Sequence, residues 1–308
     1  MAFRLRPGES VSRGLRRLAK KELLSAHDEL RKTNPPHDES IHEARKSIKK
    51  VRAVMELIAA DQGRGLAGCQ KRVRKVNRTL SGLRDADAML AVLTKLRNRY
   101  RRLFDEHTFA RLRRRLSSHK KAAMKAAQDD GAWKTVDREL RKLRTKAKRW
   151  QPTHRRFGAL EEGIQVTYRR GRKAFARARE KQGAAEFHEW RKQIKALWYQ
   201  LRLVERCSPG IGKDVRVLHQ AETLLGEDHN VVVLCEELSK DASLCDVASL
   251  RRAADRYECA LRQKAIASAV RVYASRPGNY VRRVRDAWKR WHRRRETVEH
   301  ARTRRAAA

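Results

Sequence analysis

Apolar residues recur about every 3.6 positions along almost the whole chain, and this periodicity is the strongest constraint on its fold. Only six prolines and fifteen glycines interrupt the 308 residues, most of them between long periodic segments. No segment alternates with period two. The sequence therefore predicts an all-α fold, with helices at about 9–32, 38–60, 65–81, 84–104, 107–128, 131–149, 155–181, 184–206, 213–225, 228–240, 245–275 and 278–300.

The chain carries a large excess of positive charge. Lys and Arg number 76 against 36 Asp and Glu, which gives a formal net charge of +40. Such a charge favours a polyanionic partner: nucleic acid, an acidic membrane surface or a phosphate polymer. The sequence contains no apolar run of 18 or more residues, so it predicts no transmembrane helix. Residues 1–10 lack the apolar core of a signal peptide. The five cysteines contain no C-x-x-C pair, which argues against a zinc ribbon or a disulfide framework.

One segment occurs twice. Residues 41–49 align without a gap with residues 187–195, and six of the nine positions are identical. A weaker match relates residues 80–87 to residues 224–230. Internal repeats of this kind indicate two related structural units. We therefore divide the chain into two helical repeats, at about 1–150 and 151–308, separated near Gln151-Pro152.

The repeated segment places charged and apolar residues on different helix faces. At about 100° per residue, one stripe holds His42, Arg45, Lys46 and Lys49, and its copy holds His188, Arg191, Lys192 and Lys195. The apolar faces hold Ile41, Ala44, Ile48, Val51 and Met55, and then Phe187, Trp190, Ile194, Leu197 and Leu201. Like charges at i,i+4 repel by a few tenths of a kcal/mol. Two such stripes at equivalent places favour a surface that binds a polyanion over an ordinary solvated face.

The order of these motifs resembles the CHAD family (conserved histidine α-helical domain). The matching patterns are H-x-x-R-x-x-x-K-K-x-R at 42–52, L-S-G-L-R-D-A-D at 80–87, H-x-x-R-K-x-x-K at 188–195 and L-G-E-D-H-N at 225–230. Residues 168–172, before the second histidine helix, are also similar to the family's pattern. The resemblance spans about residues 9–300. It implies a single domain of two pseudo-symmetric four-helix bundles, with basic side chains lining a shared cavity or pore.

The resemblance further implies that this surface binds inorganic polyphosphate without a cofactor. The candidate contacts are His42, Arg45, Lys46, Lys49, Lys50, Arg52, His188, Arg191, Lys192, Lys195, Arg169 and Arg172. Two positions depart from the family's pattern, Trp198 where a basic residue is common and Asn230 where an aspartate is common. Because the histidines gain protons more readily beside phosphate, we expect affinity to rise as pH falls. With no signal peptide predicted, we expect a cytoplasmic protein, with polyphosphate granules as a place of association.

Nonspecific nucleic-acid binding is the main alternative, since it needs the same charge. No helix-turn-helix, zinc-finger or RNP signature supports it. Trp190 and Trp198 fall on or near the apolar face, whereas Trp288 and Trp291, in the basic helix at about 278–300, are candidates for contacting a base or a membrane surface. Residues 101–150 hold 17 basic and 6 acidic residues, but residues 201–250 hold 5 basic and 9 acidic ones. A protein that covers nucleic acid along its whole length would not need a stretch in which acidic residues outnumber basic ones.

Magnesium-dependent processing of polyphosphate is the second alternative. Asp85, Asp87 and Asp228 are candidate Mg²⁺ ligands, but helix starts after Gly82 and Gly226 explain them more simply as caps. The chain has no Walker A loop and no acidic cluster dense enough for two-metal phosphoryl chemistry. We therefore expect no catalytic residues and no metal site.

Overall fold

The computed structural model describes residues 3–6, 8–62, 66–103, 106–150, 152–154, 156–239 and 247–306. All regular structure in these residues is helical, which confirms the all-α prediction. The α-helices are α1 (Val11–Glu29), α2 (Asp38–Gln62), α3 (Ala67–Arg99), α4 (Glu106–Asp129), α5 (Ala132–Ala147), α6 (Gly158–Lys181), α7 (Ala184–Arg202), α8 (Pro209–Leu238), α9 (Val247–Ala269) and α10 (Pro277–Ala306). Short 3-10 helices occur at Arg101–Leu103, Glu205–Cys207 and Val272–Ala274.

Both copies of the repeated segment are helical, as predicted, and form parts of α2 and α7. Each helix buries the predicted apolar face. Its residues are at most 1% exposed: Ile41, Ala44, Ile48, Val51, Met55, Phe187, Trp190, Ile194, Leu197 and Leu201. Burial of one large apolar side chain contributes roughly 1.5–3 kcal/mol. These faces therefore determine the rotation of α2 and α7 and hold the charged stripes at the edge of the core.

Two predicted helix breaks, at Gly82 and Gly226, are wrong, because α3 and α8 run through them without interruption. A glycine inside a helix costs about 1 kcal/mol relative to alanine. At position 226 the glycine also makes room for a neighbouring helix, since an added Cβ would lie 3.3 Å from Nη2 of Arg191. Asp87 and Asp228 consequently lie inside helices, and the prediction that they are caps is wrong. The side chain of Asp85 lies outside the described residues.

The other helix ends differ less from the prediction. The predicted helix at 245–275 is shorter, because α9 ends at Ala269 and a separate 3-10 helix follows at Val272–Ala274. The predicted break at Gly63 and Gly65 lies outside the described residues. No helix in the described ranges combines the length and the apolarity that crossing a membrane requires.

One apolar core extends through both repeats. Helix α2 packs against α1 and α3 of its own repeat and against α6 and α7 of the other, and α3 packs against α8. Gly163 of α6 permits a close approach to α2, because an added Cβ would come within 2.9 Å of the Cα of Leu57. A smaller apolar cluster joins α3 and α4 to α8 and α9. This packing brings the two repeated helices, α2 and α7, into contact.

Candidate polyanion-binding site

Four basic residues of the repeated helices meet where α2 packs against α7. Arg45 and Lys49 lie on α2, and Arg191 and Lys195 hold the equivalent positions on α7. The charges of the other three all act on the Lys49 ammonium group, and so does the carboxylate of Glu222 from α8. We call these five residues the central cluster. The structure thus brings together four of the predicted contacts, two from each repeat.

Glu222 is the acidic member of the central cluster and is only 8% exposed. Its Oε1 contacts the Lys195 ammonium group and lies 3.6 Å from Nε of Arg191. Burial favours the neutral carboxyl group, yet the nearby Lys195 and Arg191 hold the pKa of Glu222 below its ordinary value. Glu222 is therefore ionised at neutral pH. As far as the described residues go, the cluster sets four basic groups against this one carboxylate.

Lys49 has the most perturbed protonation in the cluster. Burial, followed by repulsion from Lys195, Arg45 and Arg191, lowers its pKa to about 6. Burial also lowers the pKa of Lys195, although Glu222 and a hydrogen bond with Lys49 oppose this shift. At pH 7 Lys49 is therefore mainly a neutral amine. An anion that arrives beside it would favour the protonated form.

The two arginines of the cluster are held differently. Nη1 of Arg45 donates to the carbonyl oxygens of Leu80 and Ser81 on α3, at 3.2 and 3.1 Å. Nε of Arg191 is buried and has no hydrogen-bond partner among the described residues. Arg45 thus fastens α2 to α3, whereas Arg191 retains donor capacity that a ligand can use.

The predicted histidine contacts, His42 and His188, lie half-buried at equivalent positions of α2 and α7. The ring of His188 packs against that of His229 on α8, with centroids 4.3 Å apart. Burial, together with the charges of Lys192 and Arg191, lowers the pKa of His188. Burial and the same cationic surroundings lower the pKa of His229 to about 4. Both rings of this pair are therefore neutral at pH 7.

Four more of the predicted contacts already have a carboxylate partner. Three form pairs with an acid of their own helix: Lys46 with Glu43, Arg52 with Glu56 and Lys192 with Glu189. Solvent-exposed pairs contribute only about 0–1 kcal/mol, so a polyanion can replace these carboxylates at little cost. Lys50 is different, because its Nζ lies 3.0 Å from the buried Glu22 of α1. Its ion pair joins α1 to α2.

Arg169 and Arg172 lie exposed on α6. They line an open groove of about 450 Å³ together with Phe175, Tyr273 and Pro277. Nε of Arg172 donates to the carbonyl oxygen of Tyr273 at 3.2 Å. The hydrogen bond of Arg172 is thus with the chain around Val272–Ala274, and no described contact joins either arginine to the central cluster.

Two of the aspartates considered as Mg²⁺ ligands form ion pairs. Asp87 lies 2.5 Å from Nζ of Lys120, and Asp228 lies 2.6 Å from Nε of Arg262. Within the described ranges, no group of three or more His, Cys, Asp and Glu side chains is arranged to hold a metal ion. The geometry of Asp87 and Asp228 therefore favours a structural role for both.

Arg262→Ala is expected to lower the free energy of unfolding by about 3 kcal/mol, because it leaves the buried Asp228 and the half-buried Glu258 without their cation. Burial raises the pKa of Glu258 to about 7 even with Arg262 in place. Denaturant unfolding followed by circular dichroism measures the loss. The control, Arg251→Ala, breaks an exposed pair with Asp255 and should cost less than about 1 kcal/mol. Equal losses for the two variants would contradict a structural role for Arg262.

The tryptophans correct one prediction and confirm another. Trp288 is only 3% exposed and packs against Phe157, so the prediction that it contacts a base or a membrane surface is wrong. Trp291 is half-buried, with its ring centroid 5.5 Å from that of Trp288. Trp190 lies in the core, and the partly buried Trp198 packs against the core, as their positions on or near the apolar face of α7 predict.

Sequence reasoning missed Glu222 and His229, the residues that α8 contributes beside the predicted contacts. One signal was available for Glu222. The alignment of residues 80–82 with residues 224–226 places Arg78 opposite Glu222, so the two repeats differ in sign at this position. Arg78 is exposed whereas Glu222 is buried. His229 lies within the L-G-E-D-H-N motif, but only the packing of α7 on α8 shows that it meets His188.

The chain is thus an all-α protein in which basic residues from two repeated helices surround one carboxylate. The CHAD domain family model matches residues 23–239, and the chain belongs to this family. Among solved structures, the chain is similar to the crystal structure of the CHAD domain from the plant Ricinus communis. The TM-score is 0.58 at 15% identity, over 90% of this chain and 89% of that one, which shows a shared fold. No curated protein matches the chain at a significant level.

Proposed function

We propose that this protein binds inorganic polyphosphate at the central cluster and does so without catalysis. The observation that supports this most directly is the meeting of four basic residues from two equivalent helices at one interface. Arginine offers a planar fork of donors and lysine a compact charge, and both suit phosphate oxygens. Polyphosphate carries about one negative charge per phosphate and has no bases to be read. A row of cations is therefore sufficient to recognise it.

The proposed architecture is one domain over about residues 9–300, built from pseudo-symmetric four-helix bundles in the repeats at about 1–150 and 151–308. In this arrangement the basic side chains of α2 and α7 line a cavity or pore shared by the two bundles. The core that extends through both repeats supports a single domain. The equivalence of Arg45 with Arg191, and of Lys49 with Lys195, supports the pseudo-symmetry. A binder of this kind would act in the cytoplasm, at polyphosphate granules.

Nucleic acid is the ligand that competes with polyphosphate in this proposal, because the net charge favours both. The basic helix α10 gives it little support. Trp288 of that helix lies in the core. Arg283 lies 2.6 Å from Asp214, and Arg285 lies 2.9 Å from Glu161. A polyanion can replace these partly exposed partners as well, so it is the burial of Trp288 that counts against nucleic acid.

Parallel titrations with long-chain polyphosphate and with duplex DNA and RNA of matched charge test the proposed ligand. A salt concentration of about 150 mM screens surface fields beyond about 8 Å. We expect polyphosphate to stay bound under these conditions while both nucleic acids dissociate. Equal affinity for all three polymers would contradict the proposal and would indicate a general polyanion-binding surface.

Polyphosphate affinity is expected to rise as pH falls from about 8 to about 6. In the free protein, burial and neighbouring cations lower the pKa of Lys49 to about 6 and also lower the pKa of His188. Phosphate beside these groups raises both pKa values, so binding takes up protons and is favoured at lower pH. Calorimetry at pH 7 in two buffers of different ionisation enthalpy measures this uptake. Binding without proton uptake would show that neither group contacts phosphate.

A further inference from the structure

We propose that Glu222 takes the place of a phosphate group in the free protein, and that polyphosphate binds by displacing its carboxylate from Lys195 and Arg191. This inference rests on the proposed polyphosphate function. It identifies a residue that limits the affinity of the site and excludes single small anions from it.

The carboxylate of Glu222 satisfies only one of the two donors that its Oε1 faces. This one oxygen faces both Nζ of Lys195 and Nε of Arg191. It contacts the ammonium group but stays 3.6 Å from the guanidinium nitrogen, which is beyond hydrogen-bond distance. Nε of Arg191 accordingly has no hydrogen-bond partner in the described structure. A phosphate group, with more oxygens than a carboxylate, can serve both donors at once.

Glu222 is the single carboxylate among the four basic residues of the central cluster. Lys49 and Arg45 face the cluster from α2, and Arg191 and Lys195 face it from α7. Glu222 enters from α8, where it is buried against these groups. A buried cation without a counter-charge is costly, so one carboxylate stabilises the central cluster without neutralising it. The remaining positive charge is available to a polyanion.

The asymmetry of the repeat supports a specific role for this acid. At the corresponding place of the first repeat the chain has Arg78, which is exposed on α3. A carboxylate needed simply to build the fold of each repeat would be expected in both. The sequence has it in one repeat alone, at the position where α8 reaches the cations of α2 and α7.

Displacement of Glu222 has a consequence for ligand choice. The cost of releasing the carboxylate is the same for every anion that reaches Lys195. A single phosphate gains few contacts and falls below detectable binding once this cost is subtracted. A condensed phosphate chain also contacts cations of the other repeat and remains bound. Glu222 therefore favours chains of phosphate over orthophosphate and chloride at the concentrations at which these anions occur.

Glu222→Gln tests the proposal with tripolyphosphate as the probe, by calorimetry at fixed salt and pH. The amide keeps the shape of the side chain and removes its charge, so we expect affinity to rise about tenfold. Orthophosphate binding should also become measurable. The matched control is Glu227→Gln on the same helix, which removes a carboxylate that pairs with Lys95 at 2.6 Å, outside the cluster. Its affinity should stay within about twofold of the wild type.

The outcomes separate this inference from the function on which it rests. Wild-type protein that binds neither tripolyphosphate nor long-chain polyphosphate would overturn the proposed function. Wild-type binding with unchanged or weaker binding by Glu222→Gln would overturn the displacement of Glu222 alone, and weaker binding would make Glu222 a positioning residue. If Glu222→Gln does not fold, Glu222→Asp withdraws the carboxylate by one methylene group and keeps its charge. A smaller gain in affinity is then expected, and no gain would overturn the proposal.

Discussion

Lys49→Met is expected to make the protein more stable and, at the same time, a weaker binder of polyphosphate. The ammonium group of Lys49 is buried beside Arg45, Arg191 and Lys195. Burial and repulsion lower its pKa to about 6, so the folded protein holds this proton less readily than the unfolded chain does. Methionine has a similar volume and no charge to desolvate. It therefore removes an unfavourable contribution to folding.

The stability advantage of Lys49→Met over the wild type is expected to depend on pH. Between the folded pKa of about 6 and the ordinary lysine pKa of 10.5, the unfolded chain binds the proton and the folded protein does not. The wild type therefore loses stability through Lys49 as pH falls through this range, and the loss is complete below about 6. Lys49→Met lacks this loss, so its advantage should grow as pH falls from 9 towards about 6.

Two measurements check the Lys49 prediction. Denaturant unfolding at pH 7 should show a gain of at least about 1 kcal/mol in the free energy of unfolding. Titration with long-chain polyphosphate at about pH 6 should show a loss of at least about tenfold in affinity, because one charged contact is gone. Lys71→Met, on the exposed side of α3, controls for the change in net charge and should alter neither quantity. A destabilised Lys49→Met with normal affinity would contradict the placement of Lys49 in the cluster.

Substitution of the two arginines of the cluster is expected to have different effects on stability. Arg191→Ala should lower polyphosphate affinity about 10- to 100-fold, the effect of losing one charged contact. Arg45→Ala should lower affinity by a similar factor, and it should also lower the free energy of unfolding by about 1.5–3 kcal/mol. The difference arises because Arg45 donates to the carbonyl oxygens of Leu80 and Ser81, whereas Nε of Arg191 has no hydrogen-bond partner in the described residues.

A double-mutant cycle measures both effects. The double variant Arg45→Ala/Arg191→Ala should lose affinity by the product of the two single losses if each arginine contacts phosphate separately. Arg216→Ala, exposed on α8, removes the same charge outside the cluster and should leave affinity within about twofold. Normal affinity in Arg191→Ala would contradict a site between α2 and α7, since the second repeat would then make no contact with phosphate.

The helices and their buried faces could be predicted because they depend on local periodicity. The five apolar positions of α2 and the five of α7 recur at helical spacing, and all ten are buried. The cationic stripes follow from the same arithmetic. Which members of a stripe meet depends on packing instead. Lys49 joins the central cluster, whereas its neighbour Lys50 pairs with Glu22 of α1. Residues adjacent in sequence point about 100° apart, and the sequence does not show what lies in each direction.

The glycines and the acid of α8 show why the rest of the site could not be predicted. Gly226 has the local signature of a helix break, but it lies inside α8 beside Arg191, where a side chain would crowd the guanidinium group. Glu222 has the signature of an ordinary acid in an acidic stretch of the chain. Its role depends on Lys195 and Arg191 of another helix, and local pattern carries no information about that contact.

A crystal structure of the protein with tripolyphosphate is the most decisive test of the proposal that polyphosphate binds between α2 and α7. We expect phosphate oxygens within hydrogen-bond distance of Lys49, Arg191 and Lys195, with the Glu222 carboxylate withdrawn from Lys195. Phosphate density confined to the α6 groove lined by Arg169 and Arg172, with the central cluster unchanged, would contradict it.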